Sequence, residues 1–146
     1  MEQAGHTDDH GPATRAGVKA MLRRAGLRPT RQRLALANLL FGDGGDRHVT
    51  AEQLHAQARH DGAKVSLATV YNTLNQFTAA RLLREVSAGP GRIYFDTNVS
   101  AHHHFLIEDD SVLVDIPAEQ VVLAKLPEAP DGLRIERVDV VVRVRK

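Results

Sequence analysis

Residues 66–83 read SLATVYNTLNQFTAARLL, and residues 84–95 continue REVSAGPGRIYF. In the first stretch Leu67, Val70, Leu74 and Phe77 recur at i, i+3, i+7 and i+10, which makes one apolar stripe on a helix. Ser66 stands where an N-cap is needed. The opposite face carries Ala68, Asn72, Asn75 and Gln76, with Tyr71 at its flank and no acid. Amides and one aromatic on an exposed helix face suit base edges in a DNA major groove. Gly89-Pro90-Gly91 then separates two strand-like runs. Helix, strand, tight turn and strand in that order are the plan of a winged helix-turn-helix. An ordinary three-helix domain with a polar outer face is the competing reading.

Upstream, Thr50 lies three residues before Gln53, a capping-box spacing that opens a helix running to about Asp61. Arg28-Pro29-Thr30 opens another, which runs to about Phe41. A first helix over residues 15–25 carries Val18, Met21 and Leu22 on one stripe and stops at Gly26. Residues 1–14 have no periodicity and are expected to be a disordered tail. From His10 to Gly42 there is no acid, while Arg15, Lys19, Arg23, Arg24, Arg28, Arg31 and Arg33 supply seven positive charges. Such a stretch suits a polyanion, although a solvated face would look the same. Arg15, Lys19 and Arg31 are the expected phosphate contacts. Ser66, Ala68, Thr69, Tyr71 and Asn72 are the expected DNA-facing residues of the recognition helix.

Past Phe95 the pattern changes, and from Ile93 to Glu136 nine acids face only Lys125 and Arg134. Residues 102–107 and 112–116 read as strands around the turn Glu108-Asp109-Asp110-Ser111. Pro117 can start a helix to about Leu126, and residues 133–145 read as a long strand with Val138, Val140, Val142 and Val144 on one face. A unit of about 50 residues is marginal alone, and sharing a sheet or core with a second copy would remedy that.

His102-His103-His104 is the strongest chemical signal. In a strand His102 and His104 share a face and His103 points away. If Asp109-Asp110 is a two-residue hairpin loop, Asp115 falls directly opposite His104. Asp96 interrupts the strand-like Ile-Tyr-Phe-Asp run and is out of place there unless it binds something. Two imidazoles with two carboxylates suit Fe²⁺, Mn²⁺ or Zn²⁺ and lack the softness that selects copper(I). A solvated histidine cluster, or an Asp115 that caps a helix, is the bland alternative.

The runs Val65-Ser66-Leu67-Ala68-Thr69-Val70-Tyr71-Asn72-Thr73-Leu74 and Arg28-Pro29-Thr30-Arg31-Gln32-Arg33, and Tyr94-Phe95-Asp96 followed by the His triplet, resemble the ferric uptake regulator family over roughly residues 15–145. The resemblance implies a dimeric winged-helix repressor that binds palindromic double-stranded DNA and has a C-terminal α/β dimerisation domain. It also implies a regulatory metal site joining the two domains. Carried over by motif, the ligands fall on His48, Asp96, His102, His104 and Asp115. Four of these follow from spacing as well; His48 comes from the resemblance alone. Most members carry two Cys-x-x-Cys pairs for structural zinc. Here the first pair's positions hold Ile107 and Asp110, and the tail after Val144 has no cysteine, so no structural Cys-ligated zinc is expected. A histidine usual in the last strand is replaced by Val138, and Asn72 stands where many members have Arg.

The Asp-Thr-Asn-Val-Ser-x-His-His-His run and Tyr-Asn-Thr-Leu are similar to the iron response regulator branch, Irr, whose members respond to haem. The Cys-Pro element some of them use is absent, so haem would have to use His102, His103 or His104. That branch also implies a haem-biosynthesis protein as partner.

The expected fold class is α+β. A winged helix-turn-helix DNA-binding domain (residues 15–95) is followed by a small α/β dimerisation and metal-sensing domain (residues 96–146). The chain has 146 residues with 42% apolar content, enough for one domain or two small ones. It has no cysteine, which removes disulfides, thiolate zinc and cysteine nucleophiles together. No apolar run reaches transmembrane length and the N-terminal residues lack a signal's apolar region, so a cytoplasmic protein with no membrane partner is expected. No nucleophile or general base accompanies the His cluster, which argues against a metalloenzyme. A passive metal or haem store would have no use for the basic segment. The function expected is a metal- or haem-responsive regulator of iron homeostasis; a manganese-, zinc- or peroxide-sensing repressor is the alternative.

Overall fold

The computed structural model describes residues 15–43, 45–89 and 91–146, with side chains from residue 17 onward. The tail expected over residues 1–14 and the side chain of Arg15 lie outside the described residues. The chain divides into two compact units, one ending at Val99 and the other running from Ser100 to Lys146.

The first unit holds helices α1 (Arg15–Arg24), α2 (Arg31–Phe41), α3 (Ala51–His60) and α4 (Leu67–Ala79), and the last three start where the caps place them. The side chains of Thr30, Thr50 and Ser66 accept from the backbone N–H groups of Arg33, Gln53 and Thr69, and Gln53 returns the bond to complete a capping box on α3. Val70, Leu74 and Phe77 of α4 are fully buried, and Thr73 joins them on the inner face. They pack with Val18 and Leu22 of α1, Leu36 and Leu40 of α2 and Leu54 of α3 into one core. Helix α4 stops at Ala79 because Arg81 adopts a positive φ of 62°, which breaks the helical path. Strands β2 (Arg84–Ser87) and β3 (Ile93–Asp96) form the antiparallel wing, with Val86 opposite Tyr94.

The wing has a third strand, β1 (His48–Val49), paired with β3 so that His48 lies opposite Asp96. A two-residue strand is too short to show a period in sequence. It is tied down by Thr97, whose Oγ1 accepts from Arg47 N–H at 2.9 Å and whose N–H donates to the Arg47 carbonyl at 3.0 Å. The domain boundary expected after residue 95 thus falls inside β3, which ends at Asp96.

In the second unit, β4 (His103–Ile107) pairs antiparallel with β5 (Val112–Ile116) and parallel with β6 (Val141–Val144), in the order β5-β4-β6. Two expectations are corrected. The helix expected over residues 117–126 is a single 3-10 turn, Ala118–Gln120. Val122, Leu123 and Leu126 are exposed, so no buried face repays the entropy of a longer helix. The strand expected over residues 133–145 shrinks to Val141–Val144, because only β4 offers it a partner edge. All four α-helices among the described residues therefore belong to the first unit. The α+β class stands, with a second unit built from a sheet and one 3-10 turn.

The carboxylate of Glu108, in the β4–β5 turn, accepts from Arg143 and Arg145 at 2.8 Å each, clasping the end of β6. The Arg143 and Arg145 hydrogen bonds hold its carboxyl below the ordinary carboxylate range. A depressed folded value means that the clasp is present above the ordinary carboxylate pKa and is lost as pH falls through the folded value. The backbone NMR signals of Val141–Val144 should shift as pH drops below about 4. Glu108→Gln should remove that acid-dependent shift; a shift unchanged in the variant would assign it to another group.

Candidate metal centre and nucleic-acid interface

Strand pairing delivers two sets of side chains that could ligate a metal, one on each unit. On the first unit, His48 Nε2 lies 3.1 Å from Asp96 Oδ2. The Asp96 side chain is 0% exposed, and its other oxygen accepts from Asn98 N–H at 2.8 Å. A buried carboxylate needs a compensating positive charge or several donors. On the second unit, the expected register holds and places Asp115 opposite His104. Nε2 of His102 and Nε2 of His104 lie 3.2 and 3.4 Å from the same Asp115 oxygen. The two rings meet edge to face with centroids 4.5 Å apart, and the ligating atoms of all three residues lie within 4.8 Å of one another.

The tautomer of His102 decides what this arrangement can hold. Its Nδ1 is 2.6 Å from the Ser100 carbonyl oxygen, so Nδ1 carries a proton and donates it. In the neutral ring the Nε2 lone pair then faces an anionic oxygen, and either a cation between them or a second proton on Nε2 removes the repulsion. Backbone orientation of the far ring nitrogen is also how metal-ligating histidines are usually fixed. The donor set fits a divalent first-row ion, with imidazole and carboxylate ligands and no thiolate among the described residues. His103 points away. Its Nδ1 accepts from Val140 N–H at 3.0 Å and helps to seat β6.

On α4, Ala68, Tyr71, Asn72, Asn75 and Gln76 are exposed. Ser66 is exposed and Thr69 half-buried, but their hydroxyls serve the helix start: Ser66 Oγ accepts from Thr69 N–H and donates to Thr69 Oγ1. Lys19 and Arg31 are exposed on α1 and α2.

Three partnerships in the first unit, two of them on this face, escape a reading of the sequence. Tyr71 donates its hydroxyl to Glu52 of α3 at 2.6 Å. That bond pulls the Glu52 carboxyl below its ordinary pKa and raises the Tyr71 phenol. Arg33 of α2 donates from Nε and Nη2 to Gln76 Oε1 at 3.2 and 3.0 Å, so the Gln76 amide turns its NH₂ away from the guanidinium. Arg47 donates to the Leu39 carbonyl and, at 2.8 Å, to Gln57 Oε1, bracing the residue that precedes His48. The face described as acid-free along its own helix thus carries an acid lent by α3. No local sequence signal marks any of these pairs, because the partners are 8 to 43 residues apart.

The Ferric uptake regulator family profile matches residues 24–140. The chain is 32% identical over 102 residues to the peroxide-responsive repressor PerR of Staphylococcus aureus, covering 70% of this chain and 68% of that one. Its fold is similar to that of the manganese-containing ferric uptake regulator of Pseudomonas aeruginosa, with a TM-score of 0.64 and 29% identity over 88% of this chain and 96% of the other. The ferric uptake regulator of Vibrio cholerae shares the fold at a TM-score of 0.63 and 20% identity, over 88% and 98% of the two chains.

Replacing His102 and His104 together by alanine should lower Mn²⁺ affinity by more than the roughly 10–100-fold that loss of a ligand's hydrogen-bonded partner costs. Calorimetric titration of metal-stripped protein measures this, with circular dichroism to confirm that the helices remain. Tight Mn²⁺ binding by the folded double variant would remove the ion from this cluster.

Proposed function

The chain belongs to the ferric uptake regulator family, and from that membership we propose that it is a transcription regulator whose DNA affinity is set by a divalent metal ion. His48, Asp96, His102, His104 and Asp115 would hold the ion, and a bound ion would supply the positive charge that these carboxylates and imidazole lone pairs demand. The observation that carries this reading is the convergence of His102 and His104 on one oxygen of Asp115, with Nδ1 of His102 engaged by the Ser100 carbonyl oxygen so that Nε2 is the atom left to ligate. Two of the five ligands belong to the DNA-binding unit and three to the other. Ligation by all five would therefore link metal occupancy to DNA affinity, and the coupling is reciprocal.

For DNA, we assign Asn72 and Tyr71 to base edges and Lys19 and Arg31, with Arg15, to phosphates. Asn72 has the paired donor and acceptor that fit adenine, and the Tyr71 ring suits a thymine methyl. Ala68 lies on the same exposed face, while Ser66 and Thr69 fix the start of the helix. The protein acts as a homodimer in this reading. Val122 is 85% and Leu133 69% exposed on the second unit, and Leu126, Ile135 and Val138 add to an apolar surface that a second copy would cover. No described helix is long and apolar enough to cross a membrane, which is compatible with a cytoplasmic regulator.

Iron is the physiological metal we favour, because the sequence runs resemble iron regulators. The haem-responsive version suggested by the Irr resemblance meets a physical obstacle at His103. Ligation through Nε2 would move the proton to Nδ1 and break the bond from Val140 N–H. A second reading, peroxide sensing by Fe²⁺-driven oxidation of a histidine ligand, is favoured by the 32% identity to PerR.

Metal-stripped protein titrated onto a palindromic duplex enriched from a random pool, with Fe²⁺, Mn²⁺, Zn²⁺ and haem added separately, tests this. A divalent ion should change the affinity at least tenfold. Equal affinity in every arm would overturn the reading, and a response to haem alone would transfer the switch to haem. Oxygen added to His102 or His104 by peroxide with Fe²⁺, but not with Mn²⁺, would establish the second reading by mass spectrometry.

Asn72→Ala should cost about 1–3 kcal/mol at one operator position and relax preference there. Arg31→Ala should weaken all sequences and lower the log–log salt slope by about 1. Uniform weakening by the first, or an unchanged slope in the second, would reassign that residue.

A further inference from the structure

We propose that Glu52 is a positioning residue that sets the specificity of DNA readout: its carboxylate fixes the presentation of Tyr71, while its charge weakens binding to every duplex. The inference rests on the DNA-binding reading above.

The geometry comes from two helix starts. The capping box of Thr50 and Gln53 locks the first turn of α3, and Glu52 is the second residue of that helix. Ser66 caps α4, and Tyr71 is its fifth residue. The bond from Tyr71 Oη to Glu52 Oε1, at 2.6 Å, therefore ties two rigid helix starts across the helix-turn-helix. Its length is that of a charge-assisted O–H···O⁻ bond. The lowered carboxyl and raised phenol keep it a neutral hydroxyl facing an ionised carboxylate at neutral pH.

Two consequences follow for a duplex. The hydroxyl proton of Tyr71 is committed, so toward a base the side chain offers its ring and the lone pairs of its oxygen. The ring is held before DNA arrives, and less side-chain freedom is lost on binding. A thymine methyl placed against that ring is rewarded, and a hydrogen-bond acceptor at the same position is not.

The second consequence concerns phosphate. In helix-turn-helix docking the helix before the recognition helix crosses the DNA backbone. The positive end of its macrodipole attracts phosphate, and a carboxylate in its first turn opposes the attraction on every sequence. Specificity is a difference of affinities, so a repulsion felt by all duplexes cancels from it: the charge of Glu52 sets the general level of binding, and discrimination comes from the Tyr71 ring that its carboxylate holds in place. This explains an acid at a surface whose task is to meet a polyanion.

The test uses the full-length protein with Mn²⁺. The palindrome that the wild type enriches from a random duplex pool is compared with the pool itself. Glu52→Ala should bind the random pool several-fold more tightly and lower the palindrome-to-pool affinity ratio about tenfold. Tyr71→Phe, which keeps the ring but removes the bond, should also lower that ratio. The double variant should fall no further than Glu52→Ala alone, because the two residues act as one unit. Glu52→Gln, which keeps size and a weaker acceptor, should restore part of the ratio while retaining the gain on random DNA. Both side chains are exposed, so thermal midpoints should match the wild type. Ratios within twofold of wild type in the single variants, or losses that multiply in the double variant, would overturn the proposal and leave the DNA-binding reading standing. A wild type that enriches no palindrome would overturn both.

Discussion

Asp115 presents one oxygen to two imidazoles, a convergence that positive charge, on a ring or on a bound cation, makes favourable. His102 donates its Nδ1 proton to the Ser100 carbonyl, which turns a lone pair, in the neutral ring, toward the carboxylate. His104 stands on the same side of the sheet two residues later, and its ring packs against that of His102. The antiparallel register of β4 on β5 permits no other meeting: a slip of one residue would send Asp115 to the opposite face. On the other unit, the pairing of β1 with β3 brings His48 to a fully buried Asp96. Each unit thus carries imidazole and carboxylate groups that could hold a divalent ion, and each set is brought together by strand pairing.

The helical core gives the nucleic-acid face its rigidity. Val70, Leu74 and Phe77 anchor α4 inward, which turns Tyr71 and Asn72 outward without choice. Side chains from the supporting helices then act on that outer face. Arg33 reaches from α2 to Gln76, and Glu52 reaches from α3 to Tyr71. The outer face of α4 is therefore a product of three helices, and its electrostatics differ from those of α4 read by itself. In the proposed reading the basic segment would attract a polyanion and the Tyr71 ring held by Glu52 would discriminate, which separates the source of affinity from the source of discrimination.

The second unit shows what a small sheet leaves undone. Three short strands bury Leu106, Leu113 and Ile116, yet Val122, Leu133 and Ile135 remain exposed. The cation–carboxylate clasp between Glu108 and the end of β6 holds the parallel strand at the turn. Exposed ion pairs of this kind contribute little each and gain weight only as a network. A unit with this much apolar surface uncovered is consistent with covering by a second copy of the chain.

Much of the fold was legible because its signals are local. The caps at Thr30, Thr50 and Ser66, the apolar stripe of α4, and the hairpin that sets Asp115 opposite His104 all involve residues close in sequence. Periodicity and turn chemistry act over such distances, so the sequence alone determined them. Where the sequence misled, the local pattern lacked a partner: residues 117–126 and 133–145 carry apolar residues but find too little to pack or pair with. The tertiary structure alone decided the β1–β3 pairing that brings His48 to Asp96, the Arg33–Gln76 tie and the Glu52–Tyr71 bond. These contacts join residues 19 to 48 positions apart, and nothing in a polar side chain's identity names a partner that only the packing of whole helices and strands brings within hydrogen-bonding distance.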